Sequence, residues 1–243
     1  MACLILALII FSTAAVMAAV PVGPTITRGP NSTKAIAPPT VVNDTGNGIT
    51  AGGYIFTVNL NSEQQNLRWK AYVGNVTGTL VLDDANGQSI YDWALATSPS
   101  GEVYATRASS VISWSTIACA SASNISLEER ALNHTANPSD NISRTFNYTN
   151  NQALDVGAVS IGASACPTTN LYENATTPTN DNFEEILLHD QTNMVYTSIL
   201  EQNANGYDTS SSGKLYDFEM IVPEVALASW QSSTAYYFYV ELT

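Results

Sequence analysis

The chain has 243 residues, of which 45% are hydrophobic and 12% are charged. Eight lysines and arginines stand against 21 aspartates and glutamates, so the formal net charge is -13. Binding to nucleic acid or to an anionic membrane surface needs clustered positive charge, so this composition argues against both partners. The acidity is compatible with bound cations such as Ca²⁺, but no residue pattern in the chain supports a calcium site.

The N-terminal stretch 2–20 carries no charge and almost no polar group, and two prolines and a glycine follow within 21–24. An apolar stretch that ends in small residues is typical of a secretory signal peptide. Val16-Met17-Ala18 fits cleavage after residue 18, so we predict that 1–18 is a signal peptide, although basic residues do not precede the apolar stretch. An uncleaved membrane anchor and a pilin-like assembly helix are the alternatives.

Eight asparagines stand in the N-x-Ser/Thr pattern that accepts N-linked glycans. Three of them lie within the seventeen residues 133–149. A chain rich in Asn, Ser and Thr produces some matches by chance, so the pattern is informative only if the chain is exported. With a signal peptide in place, we predict that 133–149 is an exposed loop and strand edge shielded by glycan. The predicted glycosylation sites are Asn31, Asn43, Asn75, Asn124, Asn133, Asn141, Asn147 and Asn174.

The cysteines fit the outside of a cell. Cys3 lies in the leader, which leaves Cys119 and Cys166 as an even pair in an exported chain. We predict a disulfide between these two residues, with two buried free thiols as the alternative. A metal site is not predicted, because the only histidines, His134 and His189, lack ligand spacing with a cysteine.

Short runs of alternating apolar and polar residues recur along the chain and are rich in Val, Ile, Thr, Tyr and Trp. Residues 78–95 contain two such runs around Asn86-Gly87, which is a strong hairpin signal. Short strands with frequent turns predict an all-β, β-sandwich-like domain over 54–243. The other predicted strands are 54–61, 67–76, 101–108, 183–190, 194–202, 214–224 and 234–242, with a turn at 191–193.

Two segments depart from this strand pattern. Residues 19–53 are rich in Pro, Gly, Thr and Asn and lack hydrophobic periodicity, which predicts an extended arm. Ser126 followed by Glu129 fits a capping box, which predicts one short helix over about 127–133.

Five motifs resemble a group of uncharacterised, exported archaeal surface proteins. They are WKAYVGNVTGTLVLDDANGQSIYDW, GEVYATR, MVYTSILEQNANGYD, LYDFEMIVPE and YYFYVELT. Their order and spacing carry the resemblance, which covers about residues 66–243. The resemblance implies an extracytoplasmic, β-rich, glycosylated protein, and it supplies no reaction and no catalytic residues.

The chain shows no pattern of residues suited to catalysis. A nucleophilic triad needs a histidine near a serine or cysteine and an orienting acid, and neither His134 nor His189 has such neighbours in sequence. Adjacent carboxylates could serve a glycosidase, but neighbouring side chains on a strand face opposite sides, and helical acids are explained by capping and solvation. We therefore predict no catalytic residues and no enzyme activity. The acidic pairs considered are Asp83-Asp84, Glu128-Glu129 and Glu184-Glu185.

Two further features have a structural interpretation. The segment 83–87, DDANG, superficially resembles a calcium loop but lacks the spacing and closing glutamate of an EF-hand, so we interpret it as a hairpin turn. The tryptophans could form a face that stacks on sugars, but half-buried strands also prefer aromatic residues. We expect them to pack in the core; they are Trp69, Trp93, Trp114 and Trp230.

These features predict an extracellular structural glycoprotein at the cell surface, a subunit of a surface filament or surface layer. Its partners are copies of itself, joined by strand addition through the arm. The alternative is a monomeric or membrane-anchored adhesin or carbohydrate-binding module that binds cell-surface glycans. Membrane contact is expected only through an uncleaved N-terminal segment, no nucleic-acid partner is expected, and no cofactor is predicted beyond the N-linked glycans.

Overall fold

A computed structural model describes residues 25–26, 42–50, 54–65, 68–83, 89–93, 100–110, 112–136, 139–172, 177–201, 204–205, 215–225 and 234–242. The first strands in chain order are β1 (Thr25–Ile26), β2 (Val42–Thr50), β3 (Tyr54–Gln65), β4 (Trp69–Asp83), β5 (Ser89–Trp93), β6 (Gly101–Thr106), β7 (Ala118–Cys119), β8 (Leu154–Val156) and β9 (Val159–Ile161). The later strands are β10 (Thr168–Tyr172), β11 (Pro178–His189), β12 (Met194–Ile199), β13 (Ala204–Asn205), β14 (Leu215–Tyr216), β15 (Phe218–Pro223) and β16 (Tyr237–Leu242). The helices are α1 (Ala122–Ala131) and α2 (Ile142–Thr145), with 3-10 turns at Trp114–Thr116 and His134–Ala136.

Two six-stranded antiparallel sheets form the body of the protein, which confirms the predicted all-β, sandwich-like fold. Sheet A has the strand order β10-β11-β12-β6-β16, and β7 also pairs with β11. Sheet B has the order β1-β2-β3-β4-β15, and β5 also pairs with β4. Two further pairs, β8-β9 and β13-β14, are short two-stranded ribbons.

Sheet A is covered on both faces, and Leu187 and Leu188 show how. These neighbours on β11 are both fully buried, yet they belong to two different hydrophobic clusters because adjacent side chains on a strand point to opposite faces. A strand buried on both faces loses the polar alternation of a half-exposed strand. Because both faces of sheet A are covered, β6 and β12 are buried at every residue.

The first face of sheet A packs against β15 of sheet B and against the two helices. Leu187 and Tyr196 from sheet A meet Phe218, Met220 and Val222 from β15 in one cluster. Burying a large apolar side chain contributes about 1.5–3 kcal/mol, so this cluster supplies much of the stability of the sandwich. We call this side of sheet A the sheet face.

The second face of sheet A is covered by less regular structure. Tyr104, Ile186 and Leu188 pack there against Trp114 of a 3-10 turn and Val156 of β8. We call this side the loop face. Among the described residues, the loop face therefore receives a full core from turns, a short hairpin and loop residues.

Most of the predicted strands are confirmed. The 78–95 hairpin appears as β4 paired with β5, although its turn at Asn86-Gly87 lies outside the described residues. The predicted hairpin around 191–193 appears as β11 paired with β12, from Glu185↔Ser198 to His189↔Met194. The carboxylate of Asp190 accepts backbone hydrogen bonds from Thr192 and Asn193, which fixes that turn.

The segment predicted as an extended arm contains two strands. Residues 42–50 form β2, which pairs with β3 along its whole length, and 25–26 form β1. A glycine-rich, weakly periodic sequence can still pair through its main chain, which the absence of hydrophobic periodicity could not reveal. The remainder of 19–53 and the predicted signal peptide 1–18 lie outside the described residues, so the division into leader, arm and domain stays a prediction.

The position of the helix start was predicted wrongly. Helix α1 begins at Ala122, and its cap is Ser121, which accepts from the Asn124 N–H while Asn124 Oδ1 accepts from the Ser121 N–H. The proposed capping pair of Ser126 and Glu129 lies inside the helix instead. Asparagine can replace the Glu or Gln of a capping box because its side-chain oxygen reaches the same N–H. The structure also adds the short helix α2.

No helix among the described residues is long and apolar enough to span a membrane.

Candidate functional site

The predicted disulfide is present and anchors the loop face. Cys119 lies on β7 opposite Leu188 of β11, and Cys166 lies in the core just before β10, with 4.8 Å between the two Cα atoms. The Asn151 side chain supports this point, because its oxygen accepts from the backbone N–H groups of Ala165 and Cys166. A disulfide is compatible with an oxidising compartment, and to that extent with the predicted extracellular location.

The predicted glycan acceptors fall into two groups by exposure. Asn133 and Asn147 are exposed, and Asn133 has a left-handed backbone (φ 57°) directly after α1. Its sequon neighbour His134 is fully buried, so the backbone turns sharply and leaves Asn133 facing solvent. A residue just beyond a helix often takes this conformation, and asparagine tolerates it well.

Three other acceptors are half-buried and already hold hydrogen bonds. Asn75 Nδ2 donates to the Leu215 carbonyl at 3.2 Å, and Asn124 forms the helix cap while its Nδ2 lies 3.3 Å from His189 Nε2. Asn141 caps α2 through Oδ1, which accepts from Arg144 N–H at 3.0 Å. A glycan attaches at Nδ2, so the cap at Asn141 is compatible with modification. Asn43 lies on β2, and Asn31 and Asn174 lie outside the described residues.

The segment 133–149 is more structured than the predicted loop. It contains a 3-10 turn and α2, and Tyr148 forms an isolated bridge to Thr168 at the start of β10. Ile142 and Phe146 anchor the segment in the sheet-face cluster. The three acceptors therefore stand on a fixed surface, while glycosylation itself stays a prediction.

Two glutamates face each other on the loop face, and sequence reasoning missed them. Glu102 on β6 and Glu241 on the edge strand β16 are direct partners in the ladder. The Tyr104 hydroxyl lies 2.9 Å from Glu241 Oε2 and 3.5 Å from Glu102 Oε2. The Gly157 N–H also donates to the Glu241 carboxylate, at 2.9 and 3.0 Å.

Like charges placed opposite each other in a ladder repel, so protonation of one of the two carboxyl groups is favoured. Burial and the nearby Glu241 raise the pKa of Glu102 to about 8. Burial also raises the pKa of Glu241, against the lowering effect of the Gly157 and Tyr104 hydrogen bonds. Two carboxyl groups of different proton affinity can act as acid and base. Here both side chains are buried, which favours a structural role.

The signal for this pair was present in the motifs GEVYATR and YYFYVELT. In each motif the glutamate alternates with residues that face the sheet-face cluster. Because neighbouring side chains on a strand point to opposite faces, the glutamate points to the loop face. Single-sequence reasoning could not join them, because strand neighbours distant in sequence are set by the sandwich topology.

A second buried charged group joins the two sheet-B strands β4 and β15. Lys70 Nζ contacts Glu224 Oε1, and the two side chains are 8% and 3% exposed. Glu224 Oε2 accepts from the Thr234 N–H at 2.8 Å, and Lys70 Nζ donates to the Thr234 carbonyl at 2.9 Å. Two buried charges are costly to desolvate, so the arrangement needs these extra hydrogen bonds.

Two of the acidic pairs weighed as glycosidase candidates, Glu128-Glu129 and Glu184-Glu185, are held by separate structural contacts, while Asp84 of the Asp83-Asp84 pair lies outside the described residues. Glu184 accepts from the Gln152 N–H, whereas Glu185 is fully buried against β15 and accepts from the Ile221 N–H. Burial raises the pKa of Glu185 well above its usual value. The Glu128-Glu129 pair, expected to be solvated, is buried on α1. Glu128 binds the Arg107 guanidinium through two hydrogen bonds, and Glu129 caps α2 by accepting from the Ser143 N–H.

The two histidines lie apart in different structural roles. His134 is fully buried, with Nε2 donating to the Glu224 carbonyl at 2.9 Å and its ring edge against Trp69. Burial, helped by the charge of Arg68, lowers its pKa and keeps it neutral. His189 Nδ1 accepts from the Gln191 N–H beside the β11-β12 turn. Neither arrangement forms a nucleophilic triad, and the prediction of no enzyme activity stays a prediction.

Two tryptophans have the packing role predicted for them. Trp114 lies in the loop-face cluster between Tyr104 and Tyr239, and Trp69 packs beside Phe146. The side chains of Trp93 and Trp230 lie outside the described residues. In the part of the chain that the structure describes, no three His, Cys, Asp or Glu residues are grouped to hold a metal ion.

Comparisons with protein-family models, with curated proteins and with solved structures found no match for the chain.

Proposed function

We propose that the chain is an extracellular structural glycoprotein, a subunit of a surface filament or surface layer that assembles by strand addition. The position of β2 in sheet B carries this proposal. All nine residues of β2 pair with β3, from Val42↔Ser62 to Thr50↔Tyr54. Its other edge pairs with the two residues of β1, as far as the described residues extend.

An N-terminal strand in this position can be exchanged between copies. The same segment of a neighbouring chain would offer β3 the same main-chain hydrogen bonds in the same register. Exchange of β2 in one direction, from each copy to the next, does not close on itself. It therefore propagates into a filament.

The predicted glycan acceptors, the charge and the disulfide support an external location. Asn31 and Asn43 precede or lie on the exchanged strand, so their glycans would flank each junction and limit lateral bundling. Asn133 and Asn147 are exposed on the body. A net charge of -13 would oppose unspecific clumping of subunits. The resemblance of five sequence motifs to exported archaeal surface proteins is consistent with the same proposal.

The test compares three forms of the secreted protein by electron microscopy and light scattering. We expect filaments from the full secreted chain and from a deletion of 19–41, which keeps β2. We expect monomers from a deletion of 19–50, which removes β2. A synthetic peptide of residues 42–50 should bind the shorter form, which also shows that its sheet B is intact.

If all three forms stay monomeric in native salt, calcium and temperature, strand exchange is refuted. The adhesin or carbohydrate-binding alternative then takes its place. Filaments from the deletion of 19–50 would also refute the mechanism, because assembly would then not need β2.

A further inference from the structure

Lys70 and Glu224 are placed as the two halves of an amide. Lys70 pairs with Val222 in the β4-β15 ladder, and Glu224 follows two residues later, so the side chains meet diagonally across neighbouring strands. Their reactive atoms, Nζ and Oε1, are in direct contact and nearly excluded from solvent. The assignment that follows does not depend on the proposed function.

Thr234 offers a hydrogen-bond partner to each polar atom of the amide that condensation would form. An amide keeps one N–H donor and one carbonyl acceptor. The Lys70 nitrogen already donates to the Thr234 carbonyl, and Glu224 Oε2 already accepts from the Thr234 N–H. Among the described residues, Glu224 Oε1, the oxygen that would leave, has no hydrogen-bond partner besides its contact with Lys70.

Glu224 is also held rigidly through its backbone. Its N–H donates to the Arg68 carbonyl at 2.6 Å, and its carbonyl accepts from His134 Nε2 at 2.9 Å. The Tyr236 hydroxyl donates to the adjacent Pro223 carbonyl at 2.6 Å. Holding two reactants in contact replaces a bimolecular encounter by a unimolecular step. The folded protein has then already lost the translational and rotational entropy that would otherwise raise the barrier to amide formation.

We propose that Lys70 and Glu224 form an intramolecular isopeptide bond that covalently joins β4 to the end of β15. Burial favours transfer of the ammonium proton to the carboxylate, which leaves a neutral amine and a neutral acid. The Nζ lone pair then attacks Glu224 Cδ, the N–C bond forms and the Cδ–Oε1 bond breaks. Oε1 leaves as water with the acid proton and one amine proton, so no oxidant or other co-reactant is needed.

Peptide mapping tests this bond in the unmodified sequence. The secreted protein is made in a host without N-glycosylation, reduced, denatured and digested with trypsin. Lys70 in an amide resists trypsin, so the bond yields 69–107 joined to 215–243, lighter by one water than the two peptides together. Separate peptides 69–70, 71–107 and 215–243, persisting after prolonged incubation of the folded protein, would overturn the proposal.

Two variants provide matched controls. Lys70→Arg keeps the positive charge but replaces the amine, and Glu224→Ala removes the carboxyl group. Both should digest into separate peptides and lose the joined product completely. A joined product that persists in either variant would show that other residues form the link and would overturn the assignment. Because the main result comes from the wild-type chain, misfolding of a variant does not affect it.

Discussion

Both faces of sheet A are buried, but by very different means. On the sheet face, β15 and helices α1 and α2 supply closely packed apolar side chains such as Met220 and Phe146. On the loop face, turns and the β8-β9 hairpin take the place of a sheet, and the disulfide and the Glu102-Glu241 pair lie there. Where regular structure is sparse, the protein uses a covalent bond to fix the chain.

Removing the disulfide should have the largest effect, and it should act on the loop face. The bridge spans 47 residues of sequence, and closing such a loop contributes about 4 kcal/mol in the chain-entropy model. The Cys119→Ala/Cys166→Ala double variant should lose about that much stability in guanidinium unfolding. Hydrogen exchange should rise first in residues 112–120 and 150–167. A uniform rise in hydrogen exchange across both faces of sheet A would contradict the assignment of the disulfide's effect to the loop face.

Leu187 and Leu188 allow the two faces to be compared one residue apart. Both side chains are fully buried. The cost of Leu→Ala is about 2–5 kcal/mol, depending on how far the surroundings collapse into the cavity. We expect about 4 kcal/mol for Leu187→Ala on the sheet face and about 3 kcal/mol for Leu188→Ala, because irregular segments relax more easily. Denaturant unfolding of the pair measures this, and the reverse order would count against our account.

The loop face should also make stability depend on pH. The pKa of Glu102 is raised from 4.5 to about 8 in the folded protein, so folding favours its protonated form. The contribution of Glu102 to stability should therefore be fully present below about pH 4.5, be lost as pH rises towards 8, and stay lost above that value. A shift of this size corresponds to at most about 5 kcal/mol, and because Glu102 keeps some contact with solvent and its shift is shared with Glu241, we expect a loss on the order of 3 kcal/mol.

Glu102→Gln isolates this contribution. It should flatten the decline between pH 4.5 and 8 and should make the protein more stable than wild type at pH 9, because no buried charge forms. The exposed Asp181→Asn is the matched control and should leave the decline unchanged. Thermal unfolding across this pH range measures both variants. An unchanged decline in Glu102→Gln would show that other acids dominate.

The smallest effect concerns the start of α1, which covers part of the sheet face. Ser121→Ala removes the observed cap and should cost about 1 kcal/mol. Ser126→Ala changes the exposed residue that the sequence pattern favoured, and it should stay within about 0.5 kcal/mol. Both are measured by urea unfolding in unglycosylated protein. Equal losses in the two variants would restore Ser126 as a capping residue.

Local patterns predicted the strands well but not their partners. Short runs of strand-forming residues bounded by turns located β3, β6, β11 and β12, and the Asn86-Gly87 signal gave the β4-β5 hairpin, because these features depend on nearby residues. The β2 strand was missed because it pairs through its backbone without an apolar period. The helix cap was predicted at the wrong serine because a capping box of serine with asparagine, as in Ser121 and Asn124, is less common than one of serine with glutamate, as in Ser126 and Glu129.

The site residues show the same limit. Cys119 and Cys166 could be paired by counting, since they were the only two cysteines left after the leader. Glu102 with Glu241, and Lys70 with Glu224, become neighbours only when the strand order of each sheet is known. A single sequence contains no information that links such distant positions, so these buried pairs could be identified only in the structure.

The most direct test of strand exchange uses the β2-β3 register. Asn47 of β2 and Thr57 of β3 are Cα partners, close enough for a disulfide after substitution. Two single variants, Asn47→Cys and Thr57→Cys, are refolded together, allowed to assemble and oxidised. If β2 is donated to a neighbouring copy, non-reducing electrophoresis will show disulfide-linked dimers that contain one chain of each variant. If assembled material gives no such dimers, while the double variant in one chain forms its disulfide internally, each β2 stays in its own subunit and the central claim is wrong.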